Sequence, residues 1–137
     1  MEVGNDKMKA ITIRDSASEP FTEWIMSKIK TIETRKINAF KSIIGEEVAL
    51  IRTGNGKPCV VGYIIFGEPK VYNSIEDFEK DEELHKVKRG SSFFIEDGKK
   101  KYGYPILSVR KLEHPELVYF RGCSSIKNKW GKVEACS

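Results

Sequence analysis

Two apolar runs joined by a short glycine-rich turn constrain the fold of this chain more than any other feature. Residues 47–53 and 59–66 are rich in Val, Ile and Leu, and each run has the length of a strand. Residues 54–58 between them read Gly-Asn-Gly-Lys-Pro, which is typical of a tight turn. We therefore predict a β-hairpin at the centre of the chain, with residues 59–66 as its most buried strand.

Shorter patterns predict the other elements. Strands are predicted over residues 9–14, 30–36, 92–95 and 104–112, and residues 117–120 form a last apolar run. Helices are predicted over residues 19–29, from an apolar face at helical spacing, and over residues 75–87, which Ser74 can cap. Several short strands with two inserted helices predict an α+β domain, built on a small, mainly antiparallel β-barrel with two or three short helices.

The chain has 137 residues, which fits one compact domain. We expect residues 1–8 to form a flexible N-terminus, residues 9–120 the folded domain, and residues 121–137 a C-terminal extension or tail. The sequence leaves open whether residues 116–137 complete the barrel.

Several patterns that would indicate a membrane, a secretory route or a metal do not occur in the sequence. No apolar run approaches the roughly 20 residues of a membrane span, and the N-terminus has no signal-peptide pattern. Three widely spaced cysteines predict neither a disulfide framework nor a zinc site, and neither histidine has a ligand partner at metal-binding spacing. We expect a cytoplasmic protein without a metal or another cofactor.

The formal net charge of +4 is unevenly distributed. Residues 99–137 carry nine basic and three acidic side chains, whereas residues 74–86 carry two basic and six acidic ones. This mildly basic balance permits contact with nucleic acid but does not require it. The acidic segment leaves a different possibility open, namely a helix that docks a basic protein partner.

Residues 30–35 bring three ionisable groups together at a predicted helix-to-strand junction. On a strand, Thr31, Glu33 and Arg35 share one face, while Ile32 points to the other. If Ile32 enters the core, Glu33 and Arg35 project together, and Lys30 can turn toward the same place. An arginine fork and a lysine ammonium suit a nucleotide or another anionic ligand. The alternative is an exposed Glu-Arg pair that contributes little.

These residues resemble the ASCH domain family, a branch of the PUA-like superfamily. The hallmark of the family, a glycine followed by Lys-Thr-Ile-Glu-x-Arg, is matched by residues 30–35, and the resemblance runs from about residue 11 to residue 115. Where the family usually has glycine two residues before the lysine, this chain has Lys28. If that position needs a positive φ, a lysine there is strained by about 1 kcal/mol.

The resemblance implies a five- to six-stranded barrel with a cleft lined by the Lys-x-x-Glu-x-Arg segment, and the family is generally proposed to bind RNA. On this basis we expect the chain to bind RNA, a nucleotide or a modified nucleobase. The binding residues that we predict are Lys30, Thr31, Glu33, Arg35, Arg14 and Tyr104.

Two alternatives from other functional classes stay open. One small group of relatives has Lys-Thr-Ile-Thr and hydrolyses acetylated cytidine, and here Glu33 stands in place of the second threonine. A hydrolase acting on a modified nucleoside or on RNA would use Lys30 and Glu33 as proton-transfer groups. The other alternative is a protein-interaction module that binds through the acidic helix.

Overall fold

The computed structural model describes residues 8–133, and within this range the chain is mostly strand. The strands are β1 (Ala10–Arg14), β2 (Ile32–Arg35), β3 (Glu47–Thr53), β4 (Cys59–Phe66), β5 (Lys70–Tyr72), β6 (Lys101–Phe120), β7 (Ile126–Lys127) and β8 (Trp130–Lys132). The helices are α1 (Phe21–Met26), α2 (Ile75–Lys80) and α3 (Glu82–His85), with a 3-10 turn at Lys41–Ile43.

One sheet contains all eight strands, in the order β2-β6-β4-β3-β1-β7, with β5 and β8 paired to β6. The β1–β3 pair is parallel and the other pairs are antiparallel. The 20-residue β6 pairs with four other strands, so it connects the whole sheet. The sheet curls into a half-barrel, which confirms the predicted α+β class and the mainly antiparallel barrel. The central hairpin has the predicted strand bounds.

An aromatic cluster fills the inside of the curled sheet. The rings of Phe40 and Phe66 stack with centroids 4.8 Å apart, and Tyr104 packs against both. Ile25 of α1 and Phe78 of α2 belong to the same buried cluster. The two helices therefore pack on the core that the curled sheet encloses.

Three predicted elements differ from the structure. The strand predicted over residues 92–95 is wrong: this segment forms a turn in which Phe94 N donates to Ser91 O. The helix predicted over residues 75–87 is divided at Asp81, whose carboxylate accepts a hydrogen bond from the Tyr72 hydroxyl at 2.7 Å. The strand predicted over residues 104–112 and the apolar run at residues 117–120 belong to one strand, β6. Residues 112–115, which include Pro115, lie at a register shift between two stretches of pairing with β4, where proline costs no ladder hydrogen bond.

The described part of the predicted C-terminal extension is packed into the sheet. β7 pairs with β1, and β8 pairs with β6. The indole Nε1 of Trp130 donates to Met8 O at 2.8 Å, and the Trp130 side chain is buried. Residues 1–7 and 134–137, the outer parts of the predicted termini, lie outside the described residues.

Helix α1 ends in a left-handed turn at Lys28. Ile29 N donates to Trp24 O at 2.8 Å and Lys28 N to Ile25 O at 3.0 Å, which is the Schellman pattern. The φ of Lys28 is 66°, so the position does need the conformation that favours glycine. The turn reverses the chain and directs Lys30 toward the sheet.

We expect Lys28→Gly to raise the free energy of unfolding by about 0.5–1 kcal/mol, because relief of left-handed strain exceeds the added entropy of the unfolded chain. Urea unfolding followed by circular dichroism measures the change. Lys28→Ala is the control, since alanine removes the charge and the long side chain but keeps the strained Cβ. Equal stabilities of the two variants would show that Lys28 is not strained.

Candidate functional site

A cavity of about 340 Å³ opens beside β2 and combines cationic, aromatic and threonine side chains. We call it the β2 cavity. Its walls come from β1, α1, β2 and the segment that leads from α3 into β6. It is lined by Thr12, Ile13, Arg14, Phe21, Lys30, Glu33, Thr34, Arg35, Lys36, Thr53, Val87, Phe93 and Lys101.

Glu33 lies at the centre of the ion pairs in this cavity. Its Oε1 is 3.6 Å from Lys30 Nζ, and its Oε2 accepts a hydrogen bond from Arg35 Nε at 3.0 Å. The same Oε2 lies 2.9 Å from Arg35 Nη2 in an ion pair. Glu33 and Lys30 are buried, and Arg35 is partly exposed. One carboxylate therefore fixes two cations, with Oε1 toward Lys30 and Oε2 toward the Arg35 guanidinium.

Lys30 is only 1% exposed. Its Nζ donates to the backbone oxygen of His85 and lies 4.8 Å from the centroid of the Phe21 ring. Burial lowers the pKa of Lys30, and the Glu33 carboxylate counteracts part of that effect. Lys30 is therefore a buried lysine that its contacts fix in the cavity wall.

His85 supports this wall from behind. Val87 N donates to His85 Nδ1 at 2.9 Å, which leaves Nε2 to donate to Phe78 O at 2.7 Å, so the ring is held in one neutral tautomer. Burial also lowers the pKa of His85, which favours the neutral form of the ring. The sequence indicated a histidine on a charged helix, whereas the structure buries it completely.

Arg35 connects three parts of the fold. Its Nη2 donates to Thr12 O on β1 at 3.0 Å, and its Nη1 lies 3.4 Å from Ser125 Oγ, just before β7. The guanidinium also lies 4.7 Å from the centroid of the Phe40 ring. These contacts hold Arg35 in place, with its planar group at the cavity wall.

Four of the six predicted binding residues line the β2 cavity: Lys30, Glu33, Arg35 and Arg14. Thr31 does not. Its backbone N–H donates to Leu84 O, its backbone oxygen accepts from Ile106 N, and it lines a separate depression.

Tyr104 also lies outside the cavity, in the aromatic core. Its hydroxyl donates to Asn38 Oδ1 at 2.5 Å and accepts from Phe40 N at 3.2 Å. The residue is fully buried, and although it pairs with Glu33 in register, its ring fills the interior of the curled sheet. The predicted role of Tyr104 in ligand binding is therefore corrected to a structural one.

Lys101 is a cavity residue that the sequence did not single out. It is 3% exposed, and its Nζ donates to Phe93 O at 2.5 Å. Burial lowers the pKa of Lys101 to about 8. Residues 99–101 are three consecutive lysines. Because they are identical, the sequence does not show which of them begins the buried strand. Phe93, which packs edge-on against Phe21 and is 38% exposed, was likewise missed.

We expect the free energy of unfolding to rise with pH from about 8 to 9.5. The pKa of Lys101 is about 8 in the folded chain and 10.5 in a free lysine, so the unfolded chain binds more protons in this window. The buried Lys30 acts in the same direction. Above this window the effect reverses, because burial raises the pKa of Tyr72 and Tyr104.

Denaturant unfolding at several pH values measures this slope. Lys101→Met should reduce it, while Lys80→Met on exposed α2 is a matched control that should leave it unchanged. A slope of the same size in both variants would contradict the assignment to Lys101.

No family model matches the sequence, and no curated protein matches it. Among solved structures, the fold matches the crystal structure of a serine-to-alanine mutant of ZmASCH from Zymomonas mobilis, with a TM-score of 0.62. The match covers 84% of this chain and 75% of that chain, at 14% sequence identity. The chain has an ASCH-like fold. Within this ASCH-like fold, residues 30–35 run from the end of α1 along β2, so the segment that carries the resemblance also forms the cavity wall.

The acidic segment of the ASCH-like fold is largely engaged within the chain. Four of its six carboxylates form ion pairs: Glu76 with Lys80, Glu79 with Arg89, Asp81 with Lys70, and Glu83 with Lys86. A basic partner would have to displace these cations. Docking of a protein through this segment stays a prediction, which charge reversal of Glu79, Glu82 and Glu83 in a pull-down experiment would test.

Residues 8–133 contain neither a metal-ligand cluster nor a membrane-spanning helix. In this range no group of three or more His, Cys, Asp and Glu side chains is arranged to hold a metal ion. None of the helices in the same range is long and apolar enough to cross a membrane.

Proposed function

We propose that this ASCH-like domain binds RNA or a nucleotide in the β2 cavity. The observation that carries the proposal is the composition of the cavity wall. Five cationic side chains, Arg14, Lys30, Arg35, Lys36 and Lys101, face a single carboxylate, Glu33. Such an excess of positive charge inside a concave, partly apolar site attracts an anion.

The lining residues divide into two groups by exposure. Lys30, Glu33 and Arg35 are held by one another, so they form a fixed floor that can orient a base edge. Arg14 and Lys36 are exposed at the rim, where they can move to meet a phosphate group. The half-exposed ring of Phe93 offers a face for a base, and such stacking contributes about 1–3 kcal/mol per base.

The rim cations give a test that leaves the buried ion pairs intact. We expect Arg14→Gln/Lys36→Gln to weaken binding of a labelled single-stranded RNA, measured by fluorescence anisotropy at low salt. Each lost phosphate contact should reduce the slope of log K against log salt by about 0.7, or about 1.4 for both. Lys80→Gln, which removes an exposed cation from α2, is the matched control. Absence of binding to RNA and to all four ribonucleotides at low salt would reject the proposal.

A second candidate function, hydrolysis of a modified nucleoside or of RNA, is favoured by one observation. Lys101, whose pKa is about 8, lines the same cavity as Glu33. Its neutral amine can accept a proton from an attacking water, a role that suits a group titrating near the working pH. Incubation with acetylated cytidine and with RNA tests this candidate. If this candidate is right, the chain turns over one of these substrates, and Lys101→Met and Glu33→Gln each abolish the turnover. Turnover that neither variant changes would reject the candidate.

A further inference from the structure

A second cavity lies beside the β2 cavity and is lined almost entirely by lysine. We propose, building on the proposed function, that it is a phosphate subsite, so that the ligand is a phosphorylated nucleoside or a nucleotide strand and not a free nucleoside. The cavity has a volume of about 300 Å³. We call it the lysine cavity, and it is lined by Lys36, Glu96, Lys99, Lys100 and Lys101.

The two cavities share part of their walls. Lys36 and Lys101 line both of them. Lys101 is held at this junction because its Nζ donates to Phe93 O, and Phe93 also lines the β2 cavity. One ligand that places a base beside Phe93 can therefore extend a phosphate past the shared wall toward the lysines.

The charges of the lysine cavity match a phosphate group. Its lining contains four lysines and one carboxylate, that of Glu96. Phosphate oxygens accept charge-assisted hydrogen bonds, and lysine binds them as a mobile point charge. A neutral nucleoside cannot use this excess of positive charge.

Glu96 occupies the position that a phosphate would take. Its Oε1 lies 3.4 Å from Lys36 Nζ, and the two side chains are 61% and 67% exposed. An ion pair so exposed contributes little to stability, so an incoming phosphate can replace the carboxylate at small cost. Glu96 therefore competes with the ligand, and its removal should strengthen binding.

Calorimetric titration of matched ligands tests the subsite. The probes are each ribonucleoside, its 5′- and 3′-monophosphates, and a dinucleotide. We expect the wild-type chain to bind at least one phosphorylated form about tenfold more tightly than the nucleoside, since one charge-assisted hydrogen bond of about 1.5 kcal/mol gives that factor. The dinucleotide distinguishes a phosphodiester from a phosphomonoester as the preferred group.

Variants separate the subsite from the base-binding cavity. Lys99→Gln/Lys100→Gln should remove most of the preference for the phosphorylated ligand without changing nucleoside affinity, and Glu96→Gln should increase that preference. Lys80→Gln is the control for loss of an exposed cation.

Equal affinities for nucleoside and nucleotide, unchanged in the lysine variant, would overturn the subsite but leave the proposed function standing. Absence of binding by every nucleoside, nucleotide and RNA at low salt would overturn both.

Discussion

Replacement of Glu33 by alanine should lower the free energy of unfolding by about 3–5 kcal/mol, since it leaves a buried charge without its partner. Lys30 is 1% exposed, and Glu33, 3.6 Å away, is the carboxylate paired with it. Arg35 would also lose its hydrogen bond and its ion pair with Glu33. Urea unfolding followed by tryptophan fluorescence measures the loss.

The lysine variant shows whether the buried charge is the cause. Lys30→Met keeps much of the apolar volume and removes the ammonium, so it should cost clearly less than Glu33→Ala. The double variant should be more stable than Glu33→Ala alone, because the unpaired charge is then absent. A cost of less than about 1 kcal/mol for Glu33→Ala, or strict additivity in the double variant, would show that the pair is not coupled.

The central hairpin could be predicted with its bounds because two independent signals agree there. The apolar runs indicate buried strands, and the Gly-Asn-Gly-Lys-Pro segment permits only a turn between them. The φ of 66° at Lys28 was raised only as a condition, through the glycine that the resembling family has at this position. Where local chemistry alone determines the backbone, the sequence is sufficient.

Lys30, Glu33 and Arg35 line one cavity. Strand alternation places Glu33 and Arg35 on one face, whereas Lys30 precedes β2 and reaches Glu33 from the turn after α1. Tyr104 and Lys101 were misjudged because their environments depend on distant residues. The strand predicted over residues 104–112 does not show which of its side chains meet the core, and the rings of Phe40 and Phe66 bury Tyr104. Lys101 is buried by a turn at Phe93 for which a strand was expected.

Gly62 on β4 should tolerate no side chain, and we expect Gly62→Ala to cost about 3 kcal/mol. A Cβ at this position would overlap Met26 Sδ of α1 and lie 2.6 Å from the backbone oxygen of Arg110 on β6. Gly62 pairs with Leu50 and with Lys111, so strands on both sides prevent its backbone from moving away. Thermal and urea unfolding measure the loss.

Gly67→Ala is the matched control, since its Cβ would meet only the side chain of Leu107 at 3.1 Å, and Leu107 is exposed and can rotate. We expect it to cost less than about 1 kcal/mol. In Gly62→Ala/Met26→Ala one of the two clashes is absent, so the double variant should be more stable than the sum of the single losses predicts.

If α1 shifts to accommodate the methyl group, Lys30 shifts with the end of that helix, and ligand binding in the β2 cavity weakens even where the chain stays folded. A Gly62→Ala chain with unchanged stability and unchanged binding would show that α1 does not need its close approach to β4 to position the cavity wall.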